Sequence, residues 1–122
     1  MAKAVGILEV YGLTCAFVAA DAGCKVANVT LEVFDKNKPA HADELPVPLL
    51  VTVKFRGNVS EVNAAMEAGI AKAKEISGVV QHYVIPNPDD PGVEKMLKIS
   101  ALDKFLTYQE DLRNVTGSFR YD

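Results

Sequence analysis

Four short runs rich in β-branched and aromatic residues punctuate the chain, and two longer stretches between them change period. Residues 4–11, AVGILEVY, read as a strand that ends at Gly12. Over residues 13–26 the spacing becomes helical. Leu13, Phe17, Ala20 and Cys24 recur at intervals of four, three and four, which predicts that they form the helix's apolar face. Thr14, Asp21 and Lys25 share a second stripe, with Asp21 and Lys25 in the acid-first i,i+4 order that favours pairing. ANVTLEVF at 27–34 and LLVTVKFR at 49–56 read as the second and third strands. Gly57 then turns the chain, and Asn58 with Glu61 has the N-cap pattern of a second helix. There Val62, Met66, Gly69, Ala73 and Ile76 alternate at four and three, and alanines at 64, 65, 68 and 71 permit close approach to a neighbouring element. Gly78 stands where a helix stops. VVQHYVI at 79–85 is the fourth strand, ended by PNP. Asp90 and Pro91 open a further helix as N-cap and first residue, and an amphipathic pattern continues with Ile99, Leu102, Leu106 and Leu112 as its apolar positions.

The order βαββαβ predicts an α+β, ferredoxin-like domain: a four-stranded antiparallel sheet with both helices on one face, plus a C-terminal helical extension. One connection stands out. Residues 35–48, DKNKPAHADELPVP, separate two strands that look like neighbours, whereas a hairpin normally needs about two to five residues.

Composition narrows the class of function. A chain of 122 residues, 49% apolar and 24% charged, fits one globular domain. A net charge of −3 without a basic run gives nucleic acid no electrostatic footprint. No stretch approaches the roughly 18 apolar residues of a membrane span, and the N-terminus lacks a secretory pattern, so a cytosolic protein is expected. On a helix, the nine-residue separation of Cys15 and Cys24 turns the thiols about half a turn apart, which predicts free cysteines.

Three segments carry a specific resemblance. GILEVYGLTCAFVAADAGCKVANVTL, VTVKFRGNVSEVNAAMEAGIAKAK and HYVIPNPDDPGVEKML resemble, in the same order, the opening, middle and closing parts of bacterial microcompartment shell proteins of the single-domain BMC class. The resemblance covers about residues 4–97, leaving 98–122 as an extension. It implies cyclic hexamers that tile into a polyhedral shell around enzymes. The partners implied are further copies of the chain, other microcompartment shell proteins and the encapsulated enzymes. The location implied is the shell itself, in the bacterial cytoplasm.

The resemblance also places residues. A lysine near the end of the first helix meets its two-fold mate at the hexamer–hexamer edge in this family, and Lys25 matches it, with Asn28 beside it. An arginine in the Pro-x-Pro turn commonly reaches across the same edge. Here that position is Asn87, which is shorter and uncharged. The connection between the second and third strands lines the pore in the family, usually as a compact glycine-rich turn. Here the matching segment contains Lys36, Asn37, Lys38, Pro39, Ala40, His41, Ala42, Asp43 and Glu44 and no glycine. Six copies would multiply its charges into rings, with His41 among them.

Other classes fit less well. A trimeric sensor of the PII type shares the βαββαβ core and a long loop, but its phosphate site needs a glycine- and base-rich turn before the last strand. The turn here, EISGVVQHY, has one glycine and no cation. No nucleophile elbow, phosphate loop or paired-cysteine motif is present, so an enzyme is not expected. His41, Asp43 and Glu44 read as an ordinary polar loop rather than a metal site, and no cofactor is expected.

Overall fold

The computed structural model describes residues 4–98. Strand β1 (Ala4–Tyr11) leads into helix α1 (Leu13–Val26), two short strands β2 (Thr30–Leu31) and β3 (Asp35–Asn37), strand β4 (Leu50–Gly57), helix α2 (Val59–Ile76), strand β5 (Val79–Ile85) and helix α3 (Pro91–Lys98). The sheet is antiparallel with order β2-β4-β1-β5, and β3 also pairs with β4. Helices α1 and α2 pack side by side on one face, as the sequence predicts. The apolar pattern beyond residue 98 lies outside the described residues.

Glycine sets the turns at one end of the sheet. Gly12 takes φ 90° between β1 and α1 and donates its N–H to the Leu49 carbonyl at 2.8 Å. Gly78 takes φ 117° after α2 and donates to the Ala73 carbonyl at 2.9 Å, ending the helix where expected. Asp90 caps α3 by accepting the Gly92 N–H at 2.7 Å.

The core lies between the sheet and the two helices. Leu8, Val10, Val51, Val53 and Phe55 meet Val62, Ala65, Met66 and Ala73 of α2. The face that α1 buries differs from the predicted one. Cys15, Ala16, Ala19, Ala20 and Gly23 are buried, whereas Leu13 is 40% and Phe17 60% exposed and Cys24 faces solvent. Space explains this. A Cβ on Gly23 would stand 2.5 Å from Phe55 Cζ, and one on Gly69 of α2 would stand 3.3 Å from the Ala19 carbonyl oxygen. The backbones are so close that only small side chains fit between them, and the larger apolar residues turn outward. In α2, Val62, Met66, Gly69 and Ala73 are buried as predicted, with Ile76 half exposed at the end.

The second strand also departs from its predicted span of 27–34. Thr30 pairs with Arg56 and Leu31 with Phe55, but Asp35 pairs with Thr52. Four steps along this edge match three along β4, so residues 32–34 contain a one-residue bulge. The extra residue reverses the in–out alternation. Phe34 thereby reaches the helix layer, where its ring meets Phe17 edge-to-face at 5.2 Å. Asp35 reaches the opposite face, where its carboxylate accepts from Lys54 at 3.1 Å. Asp35, Lys36 and Asn37, read from the sequence as loop, are strand, and the irregular connection shrinks to residues 38–49. Asn58 does precede α2, but its side chain makes no capping bond. The Glu61 carboxylate is turned to the Asn28 N–H at 2.5 Å instead.

The tight seam predicts that Gly23→Ala lowers stability by about 1–3 kcal/mol, the usual cost of overpacking. Urea unfolding followed by circular dichroism measures it, and Ala22→Ser, outside the seam, stays within about 0.5 kcal/mol of the parent.

Candidate functional site

The residues singled out by the sequence segregate to opposite ends of the sheet. Ala4 pairs with Gly57, Val5 with Ile85 and Thr30 with Arg56, so the start of β1, the ends of β4 and β5 and the start of β2 share one end. The last turn of α1 also lies there, because α1 runs back from the Gly12 turn at the other end. Lys25, Asn28 and Asn87 therefore sit at this end, all exposed. Asn28 flanks the β2 edge, while Asn87 follows β5. Three inter-strand steps of about 4.8 Å, about 14 Å in all, separate the two edges, so one chain does not bring these side chains together. Lys25 is paired with Asp21 at 2.8 Å, and both side chains are largely solvated. The hydrogen bond to Asp21 and its charge raise the pKa of Lys25 above the ordinary 10.5, so the ammonium stays charged throughout the neutral range. Burial and the Asp21 charge raise the pKa of the nearby Cys24 thiol, which keeps it protonated.

The connection lies at the opposite end. Asn37 and Tyr11 both pair with Leu50, and residues 38–49 project beyond them. The segment is folded. Ala42 donates its N–H to the Pro39 carbonyl at 3.0 Å, Glu44 to His41 at 2.9 Å and Leu45 to Ala42 at 3.1 Å, forming a turn and one 3₁₀ coil over Ala42–Glu44. Ala42 is buried and anchors the coil, whereas Lys36, Asn37, Lys38, Ala40, His41, Asp43 and Glu44 are exposed and Pro39 is half-buried. Among the described residues, no group of three or more His, Cys, Asp and Glu is arranged to hold a metal ion.

A third cluster escaped the sequence reading. Lys54 and Arg56 alternate with Val53 and Phe55 on β4 and point away from α1 and α2. Their side chains are only 3% and 6% exposed. Lys54 Nζ donates to the Leu97 carbonyl at 2.8 Å as well as to Asp35. Arg56 donates from Nη2 to Glu94 Oε1 at 2.7 Å and from Nη1 to Oε2 at 3.0 Å, and Glu32 lies 3.7 Å away. These contacts clamp α3 to the sheet face opposite the other helices. The Glu94 hydrogen bonds raise the Arg56 pKa against partial desolvation. The available signal was two cations alternating within an apolar strand, with acids at 32, 35 and 94 to match.

An antiparallel sheet with two helices on one face and a third ionically clamped to the other defines an α+β domain with chemically distinct ends. Residues 4–88 match the BMC domain family, and the chain belongs to that family. It is 42% identical over 106 residues to the carboxysome shell protein CcmK3 of Halothece sp. strain PCC 7418, covering 85% of this chain and 94% of that one. It is likewise 42% identical over 95 residues to the bacterial microcompartment shell protein PduA of Citrobacter freundii, covering 78% and 91% respectively. A crystal structure of a microcompartments protein from Desulfitobacterium hafniense DCB superposes with a TM-score of 0.60 at 25% identity over 83% of this chain. The present chain spans about half (49%) of that protein's length. The PII-type alternative drops out with this assignment.

The clamp predicts that Glu94→Gln, which takes the nearer of two carboxylates from the buried guanidinium and leaves Glu32 at 3.7 Å, costs about 1–2 kcal/mol, a low value for a charged hydrogen bond because Glu94 is 40% exposed. Hydrogen exchange should localise the loss: the α3 amides lose protection while those of α1 keep theirs.

Proposed function

We propose that this chain is a structural, non-catalytic shell subunit of a bacterial microcompartment, assembling into a cyclic hexamer. The observation that carries this reading is the polarity of the sheet, with the extended connection at one end and Lys25, Asn28 and Asn87 at the other. A ring whose radius runs along the strands turns the first end to the axis and the second to the rim. The names of the relatives, shell proteins of carboxysomes and other microcompartments, support the same role. Among the described residues, no helix is long and apolar enough to cross a membrane. The partners are further copies of the chain, other shell proteins at the rim and enclosed enzymes. Residues 4–97 form the shell domain, and 98–122 extend it.

At the axis, six copies of the 38–49 connection reshape the opening, and Lys38, Asp43 and Glu44, with Lys36 at the end of the adjoining strand β3, supply rings of charge, with His41 exposed among them. At the rim, Lys25 has the reach and three donors needed to meet carbonyls of a second ring. Its only cost is exchanging the solvated Asp21 pair, which is worth little on an exposed surface. Asn87 lacks the reach of an arginine, so the chain tiles best among other shell proteins.

Electron microscopy of the purified protein tests the rim assignment, beside a mass measurement for the ring. Lys25→Ala keeps a mass of six chains and forms no extended sheets. Asn87→Arg forms sheets more readily than the parent. Sheets that persist in Lys25→Ala would remove Lys25 from the rim.

A further inference from the structure

The sheet face on which α3 lies extends past the end of α3. Alternation along β1 turns Leu8 and Val10 to the helices and Val5, Ile7, Glu9 and Tyr11 to this face. Glu9 stands opposite Thr52 on β4 and Gln81 on β5. It is a charged residue with 8% of its surface exposed. Gln81 Nε2 donates to Glu9 Oε1 at 2.8 Å, and that amide is its one hydrogen-bond partner among the described residues. Lys54, on the neighbouring strand, is committed to Asp35 and the Leu97 carbonyl. A buried carboxylate with a single neutral donor lacks the cation or further donors that burial ordinarily demands. Beside it Tyr83 is 68% exposed and stands opposite the half-buried Ile7, which makes an apolar surface on the same face.

Where α3 ends, the chain is aimed at this strip. Glu94 sits at Arg56 and the Leu97 carbonyl at Lys54. Lys54 is two residues nearer than Arg56 to the end of the sheet that carries the long connection, so α3 runs toward that end. Thr52 and Glu9 come next in the same direction. From Lys54 to Glu9 is about 8 Å, two residues along the strand and one strand across. Residues 99–122 follow α3 and begin ISALDKFLTY. Lys104 is the first cation among them, with Phe105 next to it. Seven steps of chain from Leu97 to Lys104 span about 10 Å even in the compact form of an α-helix, enough to reach Glu9.

We propose that residues 99–108 of this same chain dock on the strip between Glu9 and Tyr83, with the Lys104 ammonium against the Glu9 carboxylate and the Phe105 ring against Tyr83 and Ile7. Attachment favours the chain's own segment as the occupant. Lys104 is tethered a few residues from its target, so its effective concentration there is of the order of millimolar. A segment of another protein loses its translational freedom on docking. Arg113 and Arg120 lie further along the chain and close larger loops to reach the same carboxylate. The contact gives Glu9 a charge-assisted hydrogen bond, stronger than the neutral one from Gln81. It also gives the ionic clamp a second function, because Arg56 and Lys54 fix the point and the direction from which the segment starts.

Hydrogen exchange of the full chain, read by mass spectrometry, tests the docking. Amides of 99–108 should exchange at least about tenfold more slowly than in a free peptide of that sequence. Lys104→Glu should return them to the free-peptide rate and leave α1 unchanged. Glu9→Gln should also reduce the protection, and adding Lys104→Glu to it should remove less than in the parent, the coupling that a direct contact produces. A cross-link reads position and chain: Tyr83→Cys with Phe105→Cys, on a Cys24→Ser background and under a mild oxidant, should form a disulfide that runs at one chain mass without reductant. Free-peptide exchange in the parent overturns the inference and leaves the strip to another occupant, such as a segment of an enclosed enzyme. Protection indifferent to Lys104→Glu overturns it too. So does a cross-link at two chain masses, which would give the strip to a neighbouring copy. If Glu9→Gln melts without cooperativity, Lys104→Glu and the cross-link decide alone.

Discussion

The close approach of three backbones around Phe55 governs this domain. The Phe55 ring occupies the place where a side chain on Gly23 would go, and Gly69 lets α2 come up to Ala19 and Leu8. Packing at this density tolerates almost no added volume. Alanine, glycine and cysteine therefore line the seam, and Leu13, Phe17 and Val26 of α1 are displaced to the surface, with Val18 half-buried. The exposed ridge of Leu13 and Phe17 is a direct result of the tight core and not a separate feature.

The opposite face of the sheet follows another rule. Lys54 and Arg56 are nearly inaccessible, and a buried cation is tolerable only when its donors are used. Asp35, Glu94 and the Leu97 carbonyl supply the acceptors. Two of those three partners belong to α3 and the third depends on the bulge that turns Asp35 to this side. One inserted residue in an edge strand thus serves both faces: it supplies an aromatic ring to the helix layer and a carboxylate to the ionic clamp. The same insertion breaks the regularity of the edge, which protects it from indiscriminate pairing.

Much of the architecture was legible in the chain. β1, α1, β5 and the start of α3 begin and end where the apolar pattern and the Gly12, Gly78, Asp90 and Pro91 signals put them. The positions of Lys25, Asn28, Asn87 and the long connection followed from their flanking motifs, and the register of the strands then sorted them to two ends. What remained hidden had a common cause. The partner of Glu61 is 33 residues away at Asn28, and that of Arg56 is 38 residues away at Glu94. Local spacing carries no information about either.

Sequence alone determined the order and type of the elements, the turns and the family, because these rest on short-range properties: apolar period, the φ freedom of glycine and the fixed φ of proline. Tertiary structure decided which stripe of α1 is inside. The pattern Leu13–Phe17–Ala20–Cys24 and the pattern Cys15–Ala16–Ala19–Ala20–Gly23 are both apolar, and hydrophobicity favours the first. The volume left between Phe55, Leu8 and α2 selects the second. Tertiary structure also decided where the edge strand bends, because the pull of Phe17 on Phe34 and of Lys54 on Asp35 exists only once the sheet and helices have assembled.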